Sequence, residues 1–262
     1  MAKMKILVTG SNGYIAKKII KNLSNYDIDS ISRDNIDLTN SNKVKKFFKD
    51  KSYDVVIHTA IEGGSRLKVD NSEMFYNNLR MFYNLMSNKK SYNKLISFGS
   101  GAEIYNKDAY YGFSKKIIND IIQNTKNFYN IRIFGLFDYE ELDTRFIKSN
   151  IIRYINKEKI IIHQDKFMDF FYMEDFLKII NNIINGVEST NLIECSYCKK
   201  YKLSDIANII NNLDEHKVDI KIENNNSGKN YIGDERTRYR YKKFNVIGLE
   251  QGIKKTYEKI LK

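Results

Sequence analysis

The chain has 262 residues, of which 42% are hydrophobic, and a formal net charge of +12 at pH 7. This length suits one sizeable domain, or one domain with a smaller lobe, and no apolar run is long enough to cross a membrane. Only two cysteines occur, Cys195 and Cys198, which excludes a disulfide framework and favours a reducing compartment. The N-terminus leads directly into a strand, so we expect no signal peptide and a cytoplasmic location.

The positive charge has two interpretations. A basic surface could bind nucleic acid, but the lysines are scattered through amphipathic helices, and the chain is generally rich in Lys, Asn and Ile. We therefore expect no nucleic-acid partner, although a positive field would attract anionic cofactors and substrates. The densest basic run, residues 236–243, is interpreted as a solvated face or an anion contact.

The N-terminal stretch combines a strand, a glycine turn and a helix. Residues 4–8 have the pattern of a buried strand, and residues 14–23 carry apolar side chains at helical spacing. Between them, Gly10 permits a turn that a side chain would block, and Gly13 lets the backbone approach a pyrophosphate at the positive end of the helix. Ala16 holds the third small position. The stretch predicts half of a dinucleotide site, and a strand-turn-helix without a ligand is the alternative.

The second strand, predicted at 28–32, ends beside Arg33 and Asp34. An acidic residue at this position would accept hydrogen bonds from the ribose hydroxyls of NAD, whereas a basic residue can bind the 2′-phosphate of NADP. Arg33 therefore favours NADP(H) over NAD(H). The adjacent Asp34, and a purely surface role for the arginine, leave the other interpretation open.

Strands and helices then alternate as far as residue 136. A brief extended segment is predicted at 35–38. Helices are predicted around 44–48, at 74–86 and at 110–122, and buried strands at 54–60, 95–98 and 130–134. This alternation predicts an α/β fold with a doubly wound parallel sheet and right-handed crossovers.

Beyond residue 136 the alternation loosens, and we expect a smaller C-terminal lobe that binds substrate. Helices are predicted at 146–154, after 169–175 as far as 184, at 203–213 and at 249–261, strands at 159–163 and 192–195, and a polar loop at 224–233. We assign residues 1–137 and 167–198 to the dinucleotide-binding domain, and residues 138–166 and 199–262 to the substrate lobe.

A Tyr-x-x-x-Lys pair opens the helix predicted at 110–122. Tyr111 and Lys115 lie one turn apart on one face, and the ammonium favours tyrosinate and so lowers the pKa of the phenol. Such a tyrosine exchanges a proton with a substrate oxygen while hydride moves at the adjoining carbon. The pattern alone is common in a chain with 19 tyrosines, and its second match, Tyr239 with Lys243, lies beyond the sheet and is set aside.

These motifs together resemble the NAD-dependent epimerase/dehydratase family of extended short-chain dehydrogenases/reductases, over nearly the whole chain. The resemblance rests on Thr9-Gly10-x-x-Gly13-x-x-Ala16, Asp37-Leu38, His58-Thr59-Ala60, Asn78 with Asn84, serines 97 and 100, Tyr111 with Lys115, Arg132, the segment 169–175 and Gly233-Asp234. It implies a Rossmann fold, nucleotide-linked sugars as substrates, and a homodimer through a four-helix bundle built partly from the Tyr111 helix. It also implies that Lys115 binds the nicotinamide ribose and that residues 134–136 lie near the nicotinamide.

Within this family the chain resembles the 4-keto-sugar reductases of the GDP-fucose synthase group, at residues 32–34, 63–64 and 130–137. That group epimerises before it reduces, with a cysteine two residues after the catalytic serine and a histidine at the start of the lobe helix. Counting along this chain places Ala102 and Arg145 there, and neither can move a proton at working pH. A substrate-contacting asparagine of the group corresponds to Gly135, so we expect a different sugar.

The resemblance assigns the site residues. Ser100 is favoured over Ser97 as the catalytic serine, because it is flanked by glycines and matches the spacing of the group to Tyr105. The catalytic residues are then Ser100, Tyr111 and Lys115. The expected cofactor-binding residues are Gly10, Ser11, Asn12, Gly13, Tyr14, Ile15, Arg33, Asp37, Leu38, Thr59, Ala60, Ile61, Asn78, Ser97, Phe134 and Leu136. The expected substrate-binding residues are Glu62, Gly101, Gly135, Arg145 and Lys148.

We therefore predict an oxidoreductase of carbohydrate biosynthesis that uses NADP(H) to reduce the 4-keto group of a nucleotide-linked deoxy sugar without C3/C5 epimerisation. One alternative is a nucleotide-sugar 4-epimerase or dehydratase with tightly bound NAD. Arg33 and the lack of an acidic pair beside the serine oppose it. The other alternative is a non-catalytic NADP-binding regulator, which has no need of Ser100, Tyr111 and Lys115 together.

Three further residue types have a plain structural interpretation beside a functional one. Cys195 and Cys198 have zinc-like spacing but no second pair, so we interpret them as thiols and expect no metal. His58 lies on a predicted buried strand and is interpreted as a satisfied core histidine. Asn78 is either a polar residue of a helix face or the group that holds the loop after residues 58–60, and the second interpretation is favoured.

Overall fold

The computed structural model describes residues 3–64, 69–187, 190–234 and 245–262. The basic run 236–243, with the Tyr239 and Lys243 pair, lies outside the described residues. The chain divides into two compact units, the first comprising Met1–Arg132 with Asn181–Ile193, and the second Ile133–Ile180 with Glu194–Lys262. These units differ from the predicted domains at residues 133–137, 167–180 and 194–198, and the domain boundaries stay a prediction.

The described strands follow the predicted alternation closely in the first half of the chain. They are β1 Lys5–Thr9, β2 Asp27–Ile31, β3 Tyr53–His58, β4 Tyr92–Ser100, β5 Phe128–Ile133, β6 Leu136–Phe137, β7 Ile160–Gln164, β8 Phe171–Tyr172, β9 Leu192–Cys195 and β10 Ile220–Asn224. Apolar runs without alternation, as in β1 and β3, form strands that are buried on both faces of a sheet.

The described helices of eight residues or more carry an apolar stripe at helical spacing, as their sequences predict. They are α1 Tyr14–Asn22, α2 Ser41–Phe48, α3 Ser72–Ser87, α4 Ala102–Tyr105, α5 Tyr110–Gln123, α6 Phe146–Ile155, α7 Met173–Ile184, α8 Leu203–Asn211 and α9 Leu249–Ile260. Two of them begin at an asparagine cap, because Asn40 accepts the N–H of Lys43 and Asn71 accepts the N–H of Met74, each at 3.0 Å. No helix of the described ranges is long and apolar enough to cross a bilayer.

The central sheet has six strands in the order β2-β1-β3-β4-β5-β9. β1 pairs in parallel with β2 on one side and with β3 on the other, and β3 pairs in parallel with β4. The prediction of a doubly wound parallel sheet is therefore confirmed. Because the chain changes direction across the sheet between β1 and β3, the carboxyl ends of these two strands border the crevice where such folds bind ligands.

Each unit has its own hydrophobic core. In the first unit the core includes Leu7, Val56, Phe82, Leu95 and Ile122 from the sheet and its flanking helices. In the second unit it includes Phe137, Ile151, Tyr154, Ile206 and Ile253, and these side chains are fully buried. The second unit also pairs β7 with β10 and β6 with β8 in two short parallel sheets.

The structure corrects the sequence prediction in three places. Residues 35–38 form a turn and not an extended segment, because the Asp37 carboxylate accepts the Thr39 N–H at 2.9 Å and the Ser32 carbonyl accepts the Ile36 N–H at 3.0 Å. Such local hydrogen bonds compete with strand pairing. The strand β10 was missed, because its exposed alternation of apolar and charged residues forms a ladder with β7 alone. The four-residue helix α4 was also missed, because it is too short to show the helical periodicity of apolar residues.

Two buried carboxylates anchor backbone segments of the second unit. Asp175, which is fully buried in α7, accepts hydrogen bonds from the N–H groups of Ile247 and Gly248, at 2.8–3.0 Å, and from the Tyr197 hydroxyl at 2.7 Å. These bonds hold the segment that begins α9. Since a buried N–H without an acceptor is strongly destabilising, a carboxylate with several acceptor sites is well suited to this position.

Asp169 has the same role for another segment of that unit. Its Oδ2 accepts hydrogen bonds from Ser196 Oγ at 2.6 Å, from Lys200 Nζ at 2.7 Å and from the Gly233 N–H at 2.7 Å. The neighbouring Asp234 N–H is accepted by Glu194 at 2.6 Å. The motif residues 169–175 and 233–234 therefore have a structural explanation within the second unit.

Candidate cofactor and active site

The glycine turn after β1 has the shape of a phosphate cradle. Gly10 has φ +68°, and a Cβ there would lie 2.7 Å from the backbone nitrogen of Ala60. The Gly13 N–H donates to the Gly10 carbonyl at 2.9 Å, and Gly13 is the residue before α1. A side chain at position 10 would be both strained and obstructed. The turn thus places the N-terminus of α1 directly after the carboxyl end of β1, as an anion site requires.

The loop after β3 is tied to β1. Thr59 Oγ donates to the Thr9 carbonyl at 2.6 Å, and Thr9 Oγ lies 2.8 Å from His58 Nδ1. Burial, with a smaller effect from the charge of Lys115, lowers the pKa of His58 to about 3. His58 is therefore a neutral, hydrogen-bonded core residue at working pH, which confirms the interpretation made from its position on a buried strand.

Asn78 holds the continuation of this loop. Its Oδ1 accepts the Glu62 N–H at 2.9 Å, and its Nδ2 donates to the Glu62 carbonyl, also at 2.9 Å. Asn78 is almost completely buried, and its amide lies 3.4 Å from Ser114 Oγ on α5. The structure therefore confirms that Asn78 positions the loop after residues 58–60.

Arg33 and Glu62 form an ion pair at the wall of a cavity of about 930 Å³. The Arg33 side chain is 70% exposed, whereas Glu62 is 19% exposed and its second oxygen accepts the Asn77 amide at 3.0 Å. Asp34 contacts Asn12 at 3.0 Å and the Ser32 hydroxyl at 3.2 Å. The cavity is lined by Arg33, Asp37, Thr39, Glu62, Gly63, Asn71, Glu73, Met74, Asn77 and Arg80. Both residues that follow β2 are thus engaged, Arg33 by Glu62 and Asp34 by Asn12 and Ser32, and Arg33 keeps most of its side chain exposed at the wall of the cavity.

Lys115 is buried on α5 one turn after Tyr111. Its ammonium donates to the Phe98 carbonyl of β4 and lies 5.9 Å from the centroid of the Tyr111 ring. Burial lowers the pKa of Lys115 to about 8, and the charge of Glu103 acts in the opposite direction. The predicted pairing of tyrosine and lysine on one helix face is therefore present in the structure.

The turn 63–64 lies directly on the ring of Tyr111. A Cβ at Gly64 would lie 2.7 Å from Cζ of that ring, and Gly64 has φ +70°. The Gly64 N–H donates to the Asp70 carboxylate at 3.0 Å. A glycine is required here on both counts, because any other residue would be strained in the backbone and would displace the ring.

The two candidate serines occupy different environments on β4. Ser97 is buried within the strand, where it pairs with His58 of β3. Ser100 ends the strand and is half-buried, and its Oγ accepts the Ala102 N–H at 3.2 Å. Its position at the carboxyl end of the sheet suits a reacting group better than that of Ser97, and the catalytic assignment stays a proposal.

Sequence reasoning missed Glu103. This residue is almost completely buried, accepts the Ser100 N–H at 2.9 Å and forms an ion pair with Arg132 at 2.8 Å. A signal was present, because Ser100-x-x-Glu103 has the spacing of a capping box, in which a serine and a glutamate exchange hydrogen bonds across the first turn of a helix.

The remaining predicted cofactor residues of the first unit surround the glycine turn and its neighbours. Ser11 and Asn12 lie in the turn, Tyr14 and Ile15 begin α1, Asp37 and Leu38 lie in the turn before α2, and Ala60 and Ile61 follow β3. The Ser11 N–H donates to the Ile31 carbonyl at 3.0 Å, which joins the turn to β2.

Other predicted residues belong to the second unit. Gly135 packs against Phe170, because a Cβ there would lie 3.0 Å from that ring. Phe134 is nearly buried and meets Tyr231 edge to face at 5.5 Å. Leu136 pairs with Phe171 between β6 and β8. The glycine at position 135 is therefore explained by packing, whatever contact it makes with a sugar.

Arg145 and Lys148 lie around a buried acid at the start of α6. Lys148 donates to the Glu141 carbonyl at 2.8 Å and pairs with Asp143 at 2.8 Å. Glu141 is 6% exposed, and its Oε1 has no hydrogen-bond partner among the described residues. Burial raises the pKa of Glu141 to about 8, while the charge of Arg145 opposes the shift and that of Asp138 adds to it.

The two cysteines do not meet a metal-binding group. Cys195 is buried and Cys198 is exposed, and neither forms a disulfide. Within the described ranges, His, Cys, Asp and Glu side chains nowhere gather in a group of three that could hold a metal ion. Burial raises the pKa of the Cys195 thiol well above its usual value, which makes it inert.

The glycine cradle at the switch point of the sheet, together with serine, tyrosine and lysine at its carboxyl end, defines a dinucleotide-binding fold with the groups of a dehydrogenase/reductase site. The sequence model of the NAD dependent epimerase/dehydratase family matches residues 6–192. The chain belongs to this family.

Proteins of known activity are similar to the chain over different lengths. GDP-L-colitose synthase of Yersinia pseudotuberculosis is 31% identical over 121 residues, which are 44% of this chain and 39% of that protein. The solved GDP-mannoheptose C4 reductase of Campylobacter jejuni, with NADP bound, has a TM-score of 0.78 at 18% identity and covers 100% of this chain and 99% of its own. A GDP-L-fucose synthetase of Naegleria fowleri bound to NADP has a TM-score of 0.75 at 15% identity, covering 100% and 94%. At these identities the two solved structures establish the shared fold.

Glu141 predicts a pH dependence of stability. Its pKa rises from an ordinary 4.5 to about 8 on folding, so between these values the folded protein keeps a proton that the unfolded chain has lost. The unfolding free energy therefore falls as the pH rises from 4.5 towards 8. We expect Glu141→Gln, which removes this effect, to increase the unfolding free energy at pH 8 and to change it little at pH 4, as measured by urea denaturation.

The exposed Glu158, which pairs with Arg153 at 3.6 Å, provides a matched control. Glu158→Gln should change the unfolding free energy by less than about 0.5 kcal/mol at both pH values. A gain for Glu141→Gln that is no larger at pH 8 than at pH 4 would contradict the assignment of a neutral, buried Glu141.

Proposed function

We propose that the chain is an NADP(H)-dependent reductase of the 4-keto group of a nucleotide-linked deoxy sugar, acting without C3/C5 epimerisation. The observation that carries the proposal is the buried Lys115 beside the Tyr111 ring, in the same unit as Ser100 and the glycine cradle. The names of the relatives, a GDP-L-colitose synthase and a GDP-mannoheptose C4 reductase, support a nucleotide sugar as substrate.

The residues of the first unit fit a dinucleotide. Gly10 lets the turn pass directly against the backbone of Ala60, and Gly13 lies immediately before α1, where a pyrophosphate would bind at the helix N-terminus. Arg33 has most of its side chain exposed beside a large cavity and is suited to bind a 2′-phosphate. On cofactor binding, the phosphate would replace Glu62 as the partner of the Arg33 guanidinium. A bound nicotinamide cofactor supplies the hydride for the reduction.

Side chains of the protein then donate the proton and polarise the substrate carbonyl. Tyr111 donates its phenolic proton to the substrate oxygen, and the ammonium of Lys115 stabilises the resulting tyrosinate. The Ser100 hydroxyl donates a hydrogen bond to the same oxygen, and the Ala102 N–H, which donates to Ser100 Oγ at 3.2 Å, helps to orient it. Both donors are strongest towards the alkoxide that develops during reduction.

Epimerisation needs a base and an acid that this chain lacks at the corresponding positions. Ala102 has no titratable group, and Arg145 remains protonated. Glu103 is the acidic residue nearest in sequence to Ser100, but its carboxylate is engaged by Arg132 and by the Ser100 N–H. These features support reduction alone, and they disfavour a 4-epimerase or dehydratase that needs a free acidic pair.

Purified protein should oxidise NADPH in the presence of a nucleotide 4-keto-6-deoxy sugar, followed by absorbance. Tyr111→Phe should lower kcat by about 10²–10⁴-fold, because it removes the proton donor. The adjacent Tyr110→Phe is the matched control and should keep full activity, since Tyr110 is an exposed residue. No turnover with any of a panel of nucleotide 4-keto sugars would contradict the proposal, and a cofactor that stays bound and unchanged through turnover would indicate an epimerase.

The cofactor preference has its own test. Arg33→Ala should raise the KM for NADPH at least about tenfold, the loss of one charge-assisted pair, and should leave the KM for NADH unchanged. Glu62→Gln should lower the KM for NADPH, because it removes a carboxylate that competes for Arg33 and that repels the negatively charged 2′-phosphate. Arg153→Ala, at an exposed arginine of the second unit, is the control. Equal effects on both cofactors would contradict the role of Arg33.

We also propose a homodimer through α3 and α5. Tyr76 and Tyr83 on α3 and Phe113 on α5 are exposed aromatic residues, and Phe75 stacks on Phe113 at 5.4 Å. Tyr76 and Tyr83 are seven residues apart and so share a helix face. Exposed aromatic side chains on two packed helices are suited to an interface.

Light scattering should therefore give about twice the chain mass of 30.9 kDa. Tyr76→Glu combined with Tyr83→Glu should give a monomer, because each new carboxylate would be buried without a partner. Leu142→Glu, at an exposed leucine of the second unit, should leave the mass unchanged. A monomeric wild-type protein at micromolar concentration would overturn the proposal.

A further inference from the structure

Glu103 is at the centre of a buried polar network beside the candidate catalytic residues. Its carboxylate accepts hydrogen bonds from the Ser100 N–H at 2.9 Å, from Arg132 Nε at 2.9 Å and from Asn130 Nδ2 at 3.3 Å. The Glu103 side chain is 1% exposed and that of Arg132 is 10% exposed. Arg132 Nε and Nη2 both approach Glu103 Oε2, at 2.9 and 2.8 Å, while Oε1 accepts the Ser100 N–H, so both carboxylate oxygens act as acceptors in an ion pair.

The backbone around this network is shaped to let the carboxylate approach. A Cβ at Gly99 would overlap Glu103 Oε1, so a glycine is needed where β4 passes the carboxylate. Gly112 of α5 likewise meets the carbonyl oxygens of Ala102 and Asn106 too closely for a side chain. The short helix α4 therefore contacts the end of β4 through Glu103, and its backbone lies close to Gly112 of α5.

The network and Lys115 meet at the same end of β4, because the ammonium of Lys115 donates to the Phe98 carbonyl and the Glu103 carboxylate accepts the N–H of Ser100, two residues further along the strand. Burial lowers the pKa of Lys115, and the negative charge of Glu103 opposes that shift. The other groups that face the ammonium add no charge at working pH, since His58 is neutral and the Phe98 carbonyl and the Tyr111 ring are dipolar. Burial raises the pKa of Glu103 itself, while Arg132 and the Ser100 and Asn130 hydrogen bonds oppose the rise.

We propose that Glu103 is a positioning residue for the reduction: it fixes the backbone of Ser100 and supplies the buried negative charge that balances the ammonium of Lys115. The inference rests on the proposed function, because it takes Ser100, Tyr111 and Lys115 as the reacting groups. Glu103 itself exchanges no proton with substrate. A purely structural role for the Glu103–Arg132 pair would affect stability but would leave the titration of Lys115 unchanged.

The test follows Lys115 directly, with no substrate present. Protein labelled with ¹³C-lysine is titrated by NMR, and the Lys115 signal is assigned from its loss in Lys115→Arg. Glu103→Gln keeps an acceptor for the Ser100 N–H but removes the charge, so the pKa of Lys115 should fall by about half a unit or more. Asp120→Asn, which removes an exposed carboxylate of the same helix paired with Lys116, is the control and should cause no shift.

A second variant covers the case in which the first does not fold. Glu103→Gln leaves Arg132 as a buried charge without its partner, which is strongly destabilising. Glu103→Gln combined with Arg132→Gln removes both charges, and it should unfold at a higher temperature than the single variant while showing the same direction of shift at Lys115. An unchanged Lys115 titration in whichever of these variants is folded would overturn the proposal.

Kinetics supply a second readout. The limb of kcat/KM that falls as Lys115 loses its proton should move to lower pH in Glu103→Gln, by the same amount as the NMR titration. The two proposals can fail separately. If Glu103→Gln shifts the Lys115 titration but the wild-type protein turns over no nucleotide 4-keto sugar, the proposed reductase function is contradicted and the electrostatic link between Glu103 and Lys115 is not. A limb that does not move while the NMR titration does would overturn the catalytic part of the inference.

Discussion

The burial of one ammonium group, that of Lys115, governs the charge state of the candidate active site. A charge removed from water must be compensated by nearby dipoles and opposite charges. Here the Phe98 carbonyl accepts a hydrogen bond from it, the Tyr111 ring lies beside it, and the carboxylate of Glu103 acts on it from α4. Burial lowers the pKa of His58, and the charge of the Lys115 ammonium lowers it further, so that His58 stays neutral.

Much of the first unit could be predicted from the sequence, because strong local patterns determine it. Uninterrupted apolar runs predicted β1, β3 and β4, glycines predicted the turn after β1, and the spacing of Tyr111 and Lys115 predicted their common helix face. Asn78 was also predicted to hold the loop after β3, and its two hydrogen bonds to Glu62 confirm it. Position within an alternating pattern was sufficient in each case.

The features that were missed depend on contacts between residues far apart in the chain. Glu103 is defined by Arg132, which is 29 residues away, and no periodic pattern reveals such a pair. β10 is a strand only through its pairing with β7, and its charged positions resemble a loop. The prediction of an extended segment at 35–38 was wrong for a local reason. The Asp37 side chain accepts a hydrogen bond from the Thr39 N–H, and a pattern of apolar residues does not reveal such a bond.

Gly64 constrains how the sequence can vary around the proposed proton donor. Because it lies against the Tyr111 ring with a φ of +70°, a substitution at position 64 would strain the backbone and also displace the ring. A side chain at position 64 would therefore disturb the proposed proton donor even in a chain that keeps Tyr111 itself.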